Sequence, residues 1–531
     1  MYLIGIDVGT GSARAGVFDY EGAMLASAKA DLVIWRDAGS IVEQSSSQVW
    51  DAVCEAVRGA VQAAGIEPAK VGGIGFDATC SLVVLGEGGV PLAVGPSDDP
   101  ARNIIVWMDH RAVEQAERIN AAGHEVLRYV GGVISPEMET PKLLWLKENR
   151  REVFDAAWGF FDLADYLTWA ATGSLVRSTC TITCKWTYLA HEDRWDESYF
   201  RQIGLGMLAD EGFARIGTEA AAPGTALGSG LTARAAAQMG LPMGIPVGAG
   251  LIDAHAGGVG TVGAMGNDAT ENMAYVFGTS SCTMTTTAEP RFVPGVWGPY
   301  YSAMLPNMWL NEGGQSAAGA AIDYLLKLHP AWGEAKAKAD TVGLPLAVWL
   351  ADRAAGSVTS ASDAVDLAGG VHVVPEFLGN RAPFADPHAR ALVAGLGMEE
   401  DLSSLVQLYV AGLCGIGYGL RQIIDTQAAH GAPIRRLMIS GGAGQHDLVR
   451  QILADSTGIE VIATEADEPV LLGSSILAAV AAGAYPGIAQ AMAAMSRQKQ
   501  RFAPSLGKCV ATHARRYDAF KLLQKAARAV R

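Results

Sequence analysis

The stretch Tyr2-Leu-Ile-Gly-Ile-Asp7-Val-Gly-Thr10-Gly-Ser-Ala-Arg14-Ala-Gly-Val17 decides the fold. Tyr2 to Asp7 has the apolar pattern of a buried strand, Val8 to Ser12 is a small polar turn, and Ala13 to Asp19 returns as a second strand. The chain therefore opens on a β-hairpin. Such a turn leaves backbone N–H groups unpaired, and with no bulky side chain in the way they can hold phosphate oxygens. Asp7 closes the first strand, where a buried carboxylate is costly unless it meets donors or a cation. A Mg²⁺ ion bridging nucleotide phosphates would satisfy it. One hairpin of this kind is equally an ordinary way to join two strands.

The pattern returns half a chain later. Met273 to Phe277 reads as a strand, Gly278-Thr-Ser-Ser281 as a polar turn, and Cys282 to Thr287 as the returning strand, so the chain starts its fold a second time. Between the two lie an amphipathic helix over Ser47 to Ala64 and a buried strand, Val71 to Phe76, that ends at Asp77. Helices follow over Arg111 to Ala121, Pro141 to Asn149, Asp162 to Thr172 and Ala233 to Met239. The second half holds a long helix, Leu402 to Gln427, a strand over Leu437 to Ile439 running into Ser440-Gly-Gly-Ala-Gly444, and a helix from His446 to Thr457. Strands alternating with helices predict an α/β fold with mostly parallel sheets. Ser440 to Gly444 is either a tight turn or a close approach of a flat ring or phosphate to backbone. Asp253, alone among small and apolar residues between Gly248 and Gly257, is either a helix cap or a functional base.

The 531 residues are 50% hydrophobic with a net charge of −15, enough to bury a large core and the wrong sign for nucleic acid or anionic lipid. Seven scattered cysteines without a CxxC pair predict reduced, mostly buried thiols. With no basic stretch before the first apolar residues, the expected compartment is the cytoplasm. The uncharged run Pro469 to Ser496 is read as two buried helices around a turn rather than a membrane span. The basic segment Arg497 to Arg531 carries Tyr517, Phe520, Leu523 and Ala527 on one helical face, which predicts a capping helix docked on the acidic body. Gly258-Val-Gly260-Thr-Val-Gly263 matches the dinucleotide fingerprint but follows no clear strand. There is no P-loop, no GxSxG elbow and no HExxH.

Taken together, the segments resemble the FGGY family of carbohydrate kinases, in the group that shares the actin, Hsp70 and hexokinase fold. Ile4 to Arg14 resembles the first phosphate hairpin, Phe277 to Ser281 the second, and Ser440 to Gln445 the adenosine loop, while Leu378-Gly-Asn-Arg381-Ala-Pro383-Phe-Ala-Asp386-Pro387 resembles a further family segment. Gly75-Phe-Asp77-Ala-Thr-Cys80-Ser-Leu-Val83 and Trp107-Met-Asp109-His-Arg111 are most similar to the ribulokinase branches. The resemblance implies two ribonuclease H-like domains, residues 1–260 and 261–531, with the active site in the cleft between them and hinge closure around substrate. It implies phosphorylation of a pentulose, D-ribulose at O5, by ATP with Mg²⁺, in a chain that can form a homodimer.

For single residues the resemblance implies Asp253 as the general base and Asp7 as the metal ligand. Thr10, Gly11, Ser12, Arg14, Gly278 and Thr279 would hold phosphates, and Gly441, Gly442 and Gln445 would line the adenosine. Asp77, Ala78, Lys185, Asp253 and Glu312 would face the sugar, with Asp109 and His110 bracing the pocket wall. Without the resemblance, Lys185 reads as a solvated strand residue and Glu312 as an acid at a helix N-terminus. L-ribulose, xylulose or ribitol are alternative acceptors, and a noncatalytic nucleotide-switched binding protein is the alternative from another class.

Overall fold

Two sheets built on one plan carry the molecule, in a computed structural model that describes residues 1–266 and 269–531. In the first, Tyr2–Val8, Ser12–Phe18 and Met24–Asp31 form an antiparallel meander, and Val71–Ala78 and then Leu251–Ile252 add in parallel on the other side of the opening strand. In the second, Asn272–Phe277, Ser281–Thr287, Trp309–Gln315 and Trp297–Tyr301 lie antiparallel in that spatial order, with Trp309–Gln315 inserted before the edge strand, and Arg436–Ser440 and Glu460–Thr464 add in parallel. Each sheet is thus mixed rather than mostly parallel, because the repeated hairpins contribute antiparallel strands that no intervening helix reverses. A third sheet, Trp35–Asp37, Ile41–Gln44, Ile104–Ile105, Leu82–Gly86 and Ala157–Asp162, is wholly antiparallel and is an elaboration of the first half.

Strand parity decides what each sheet face meets. Even residues of the opening strand, Ile4, Ile6 and Val8, join Val49, Val53 and Val57 of the helix Ser46–Ala64 in one core. Odd residues face the helix Pro469–Ala481 from the far half of the chain. Glycines make that face flat: a Cβ would lie 2.1 Å from the Leu471 carbonyl oxygen at Gly5 and 2.0 Å from that of Ser474 at Gly75. The helix Asp253–Val262 packs against Pro469–Ala481 and, on its other side, against the second sheet. The long helix Leu402–Ala429 covers the outer face of the second sheet, as Ser46–Ala64 does the first. It is long and apolar enough to cross a membrane, yet most of it is buried inside the protein.

The run Pro469 to Ser496 forms two helices, Pro469–Ala481 and Ile488–Met495, as its composition predicts. All seven cysteines are free thiols, five of them buried. The basic tail contributes an edge strand, Gln498–Phe502, and the helix Lys508–Ala529, whose Tyr517 and Phe520 are buried beside Tyr418. Arg528 and Arg531 then pair with Asp386. Phe520→Ala should lower the unfolding free energy by about 3 kcal/mol in urea titrations; no change would mean that the helix is not held by this contact.

Candidate active site

Pairing across the first sheet puts two carboxylates side by side. Asp7 and Asp77 are opposed on neighbouring parallel strands, and Leu251 pairs with Asp77 at the next strand, so Asp253 follows as the first residue of its helix. Asp7 and Asp77 are buried and Asp253 is half-buried. Arg14, one hairpin partner away, donates from Nε to Asp7 Oδ2 at 2.8 Å and from Nη1 to Glu468 Oε2 at 2.7 Å. Ser474 Oγ donates to Asp77 Oδ2 at 2.5 Å, and Asp77 Oδ1 has no hydrogen-bond partner among the described residues.

Burial and the Asp7 charge together raise Asp253 to about 6 and push Asp77 well above the usual carboxylate range. Three acids against one close arginine, with a buried carboxylate oxygen left over, form the oxygen donor set that a hard divalent cation takes. The residues fit Mg²⁺. Asp253 is not a side-chain cap of the helix end: Ile252 is the cap residue, and among the described residues the Asp253 carboxylate bonds the next amide alone, Ala254 N–H, at 2.7 Å.

Beside these acids lies a cavity of about 580 Å³ lined by Arg14, Gly441, Gly442, Gln445 and Glu468, among others. It brings together Arg14 from the first hairpin and the Gly441 turn of the second half. Gly441 has φ +91°, and a Cβ there would sit 2.5 Å from the Phe277 carbonyl oxygen, so the turn needs glycine to lie against the second hairpin. Gly11 and Gly442 differ: neither has a positive φ, and a Cβ at either would meet no described atom within 4 Å. Their bareness serves no contact inside the protein, as expected of backbone that a ligand approaches. Thr10 Oγ1 accepts from Trp107 Nε1 at 2.9 Å, which fixes the first turn from the Trp107 segment. Gly278 and Thr279 form the tight second turn, where Thr279 O accepts from Ala318 and Ala320 N–H. Ser12 opens the returning strand.

On the other side of Asp253, Lys185 and Glu312 converge. Lys185 sits in the helix Thr179–Trp186, not in a strand, and is buried with its Nζ 5.1 Å from the Trp297 ring centroid. Glu312 lies mid-strand in Trp309–Gln315, not at a helix end, and is also buried. Burial alone would raise Glu312, but Lys185, His255 and Arg381 bring it down to about 2. Asp77 lies beside Asp7 on the helix-facing side of the sheet and within reach of the Asp253 charge. The Ala78 side chain, of opposite parity, is fully buried in the apolar core behind it and offers no polar group there.

Several neighbours escaped the sequence reading. Arg381 guards the same Trp297 ring at 5.6 Å and donates to Cys282 Sγ at 3.6 Å. His255 bridges Cys180 and Glu312. Cys80, just beyond the Asp77 strand, lies near Lys185. A usable signal for His255 was its place two residues after Asp253 on one short helix. Asp109 is buried and accepts from Val42 N–H at 2.6 Å and from Arg111, while His110 pairs with Glu137 at 3.5 Å.

Solved structures with this architecture include ligand-bound xylulose kinase from Lactobacillus acidophilus, 20% identical with a TM-score of 0.81 over 99% of this chain and 98% of that one. Plasmodium falciparum glycerol kinase with ADP superimposes with a TM-score of 0.78 at 16% identity, again over 99% and 98%. The fold is that of the two-domain sugar kinases. The chain belongs to the FGGY family of carbohydrate kinases: the family's N-terminal domain matches residues 2–260 and its C-terminal domain residues 273–482. It is 44% identical over 506 residues to the human FGGY carbohydrate kinase domain-containing protein, covering 93% of this chain and 91% of that one. It is 38% identical over 518 residues to a D-ribulokinase of Saccharomyces cerevisiae, covering 90% and 72%. It is a sugar kinase.

Proposed function

We propose that this kinase transfers the γ-phosphoryl group of ATP to O5 of D-ribulose, with the chain dividing near residue 260 into the two units that flank the site. The observation that carries the reading is the position of Asp253. It stands at one helix end between the Asp7–Arg14 hairpin and the Lys185–Glu312 pair, and feels the charges of Asp7 and Lys185 alike. The similarity to a D-ribulokinase supports D-ribulose over other pentuloses.

In this reading Lys185 and Glu312 hold sugar hydroxyls by charge-assisted hydrogen bonds. Asp253, ionised near neutral pH, accepts the proton of the attacking hydroxyl as that oxygen bonds to phosphorus. Arg14 and the amides of the two hairpin turns hold phosphate oxygens, and Gly441, Gly442 and Gln445 line the adenosine. Asp7, with Asp77 beside it, would hold Mg²⁺, which supplies charge neutralisation at the phosphates when bound.

The test is ADP release with Mg-ATP against D-ribulose, L-ribulose, D-xylulose, ribitol and glycerol, comparing kcat/KM. D-ribulose is expected to lead by at least about tenfold. A lead for another sugar would overturn the substrate and keep the mechanism, and ADP release independent of every sugar would overturn both.

A further inference from the structure

His255 is fully buried, two residues after Asp253, and its two ring nitrogens are both engaged. Nδ1 lies 3.1 Å from Cys180 Sγ, and Nε2 lies 3.3 Å from Glu312 Oε2. Cys180 Sγ also accepts Ile252 N–H at 3.4 Å, which ties the sulfur to the backbone that leads into Asp253. No other hydrogen bond engages the Glu312 carboxylate among the described residues. Cys180 and Cys184 project from one face of the helix that also carries Lys185, so this helix supplies both the sulfur behind the imidazole and the ammonium beside the carboxylate.

We propose that His255 is a positioning residue for the sugar-facing carboxylate: Cys180 fixes the imidazole so that Nε2 always carries a proton, and that N–H orients Glu312. The proposal rests on the reading of Glu312 as a sugar contact. Glu312, held ionised, can only accept, so the nitrogen facing it must donate. With a thiol at Cys180, S–H donating to Nδ1 leaves the neutral ring's proton on Nε2. With a thiolate at Cys180, the proton sits on Nδ1 and the ring is an imidazolium, again with Nε2–H. Moving the proton between sulfur and nitrogen changes the charge on each but not the donor presented to Glu312. Glu312 thereby has one oxygen committed to His255, which turns the carboxylate plane and leaves the other for a ligand hydroxyl. A carboxylate with this support is pre-organised, and a sugar need not spend binding energy on ordering it.

The charged surroundings agree. Burial opposes the imidazolium, yet Cys180 and Glu312 raise His255 to about 10, while Cys184 and His255 bring the buried Cys180 thiol down to about 5. Asp253 on the same helix also faces the ring, and Lys185 on the Cys180 helix and Arg381 face Glu312.

The experiment compares two amides of different reach. His255→Gln can set its amide N–H where Nε2–H stood, whereas His255→Asn sets it at the Nδ1 position, too far from Glu312. With D-ribulose, His255→Asn should raise the sugar KM about 10- to 100-fold, the range for losing one charge-assisted hydrogen bond, with the ATP KM changed less than about twofold. His255→Gln should stay within about threefold of the parent, and so should Cys180→Ser, which keeps a donor for Nδ1. Thermal unfolding of each variant establishes that the protein compared is folded. Equal sugar KM values for the Asn and Gln variants, or a parallel loss of ATP affinity, would overturn the proposal. Glu312→Gln separates the two layers: if it leaves the sugar KM unchanged, the reading of Glu312 itself fails, whereas if it raises KM and the two His255 variants still behave alike, only the positioning role fails.

Discussion

Asp253→Asn is expected to give a folded protein that binds ATP and sugar with affinities near the parent's and turns over about 10³-fold more slowly. The substitution keeps size and the Ala254 N–H contact in reach but removes the proton acceptor, and a positioned general base contributes about 10² to 10⁴ in rate. It also removes one of three crowded carboxyl groups, so neither folding nor binding should suffer. The measurement is kcat by coupled ADP release alongside calorimetric titration of each substrate. Parent-like turnover would take the base role away from Asp253.

The same residue fixes the direction of the pH response. Its carboxyl is raised by burial and by Asp7, so it is protonated and inactive as a base below about pH 6 and active above it. The acid limb of kcat/KM for the sugar should therefore fall with a slope of one proton and a midpoint near 6, moving lower as a cation beside Asp7 offsets that charge. The limb should vanish from the residual activity of Asp253→Asn.

What the sequence made legible was local, and what it hid depended on facing. The two hairpins announced themselves because glycine, serine and threonine between apolar strands have few other uses, and the helices over Ala233–Met239 and His446 to Thr457 matched within a residue. Asp77 and Ala78 were harder. Both adjoin the right loop, but a strand sends neighbours to opposite faces, and which face met the site was set by a helix arriving from residue 469. The local structure at Lys185 and Glu312 was misread, since a short helix with Thr and Cys, and a strand rich in Gly, Asn and Glu, both go against residue preference and are held by tertiary packing. His255 stood two residues after Asp253, but its bridge joins three segments, and nothing in the sequence pointed to Cys180 or Glu312 as its partners.

The glycines of Gly258-Val-Gly260-Thr-Val-Gly263 resembled a dinucleotide loop, and their use is a helix crossing. Gly260 lies inside the helix Asp253–Val262, where a Cβ would fall 1.9 Å from the Pro469 carbonyl oxygen, and a Cβ at Gly473 of the facing helix would fall 1.9 Å from the Ala256 carbonyl oxygen. The two backbones touch through reciprocal glycines. A methyl at Gly260 meets backbone rather than a movable side chain, so the helices must separate. Gly260→Ala should lose about 3 kcal/mol of stability in urea titrations, although alanine favours a helix over glycine by up to about 1 kcal/mol. Gly257→Ala is the control: its nearest neighbour would be Val276 Cγ2 at 3.4 Å, an ordinary contact, and it should be neutral or stabilising. Activity should follow, because one helix begins at Asp253 and the other carries Ser474 against Asp77, and a shift of about 1 Å between reacting groups can cost about 10²-fold in rate. If Gly260→Ala unfolds at the parent's urea midpoint, the two helices do not cross as closely as these contacts require, and the coupling between that crossing and the carboxylate cluster falls with it.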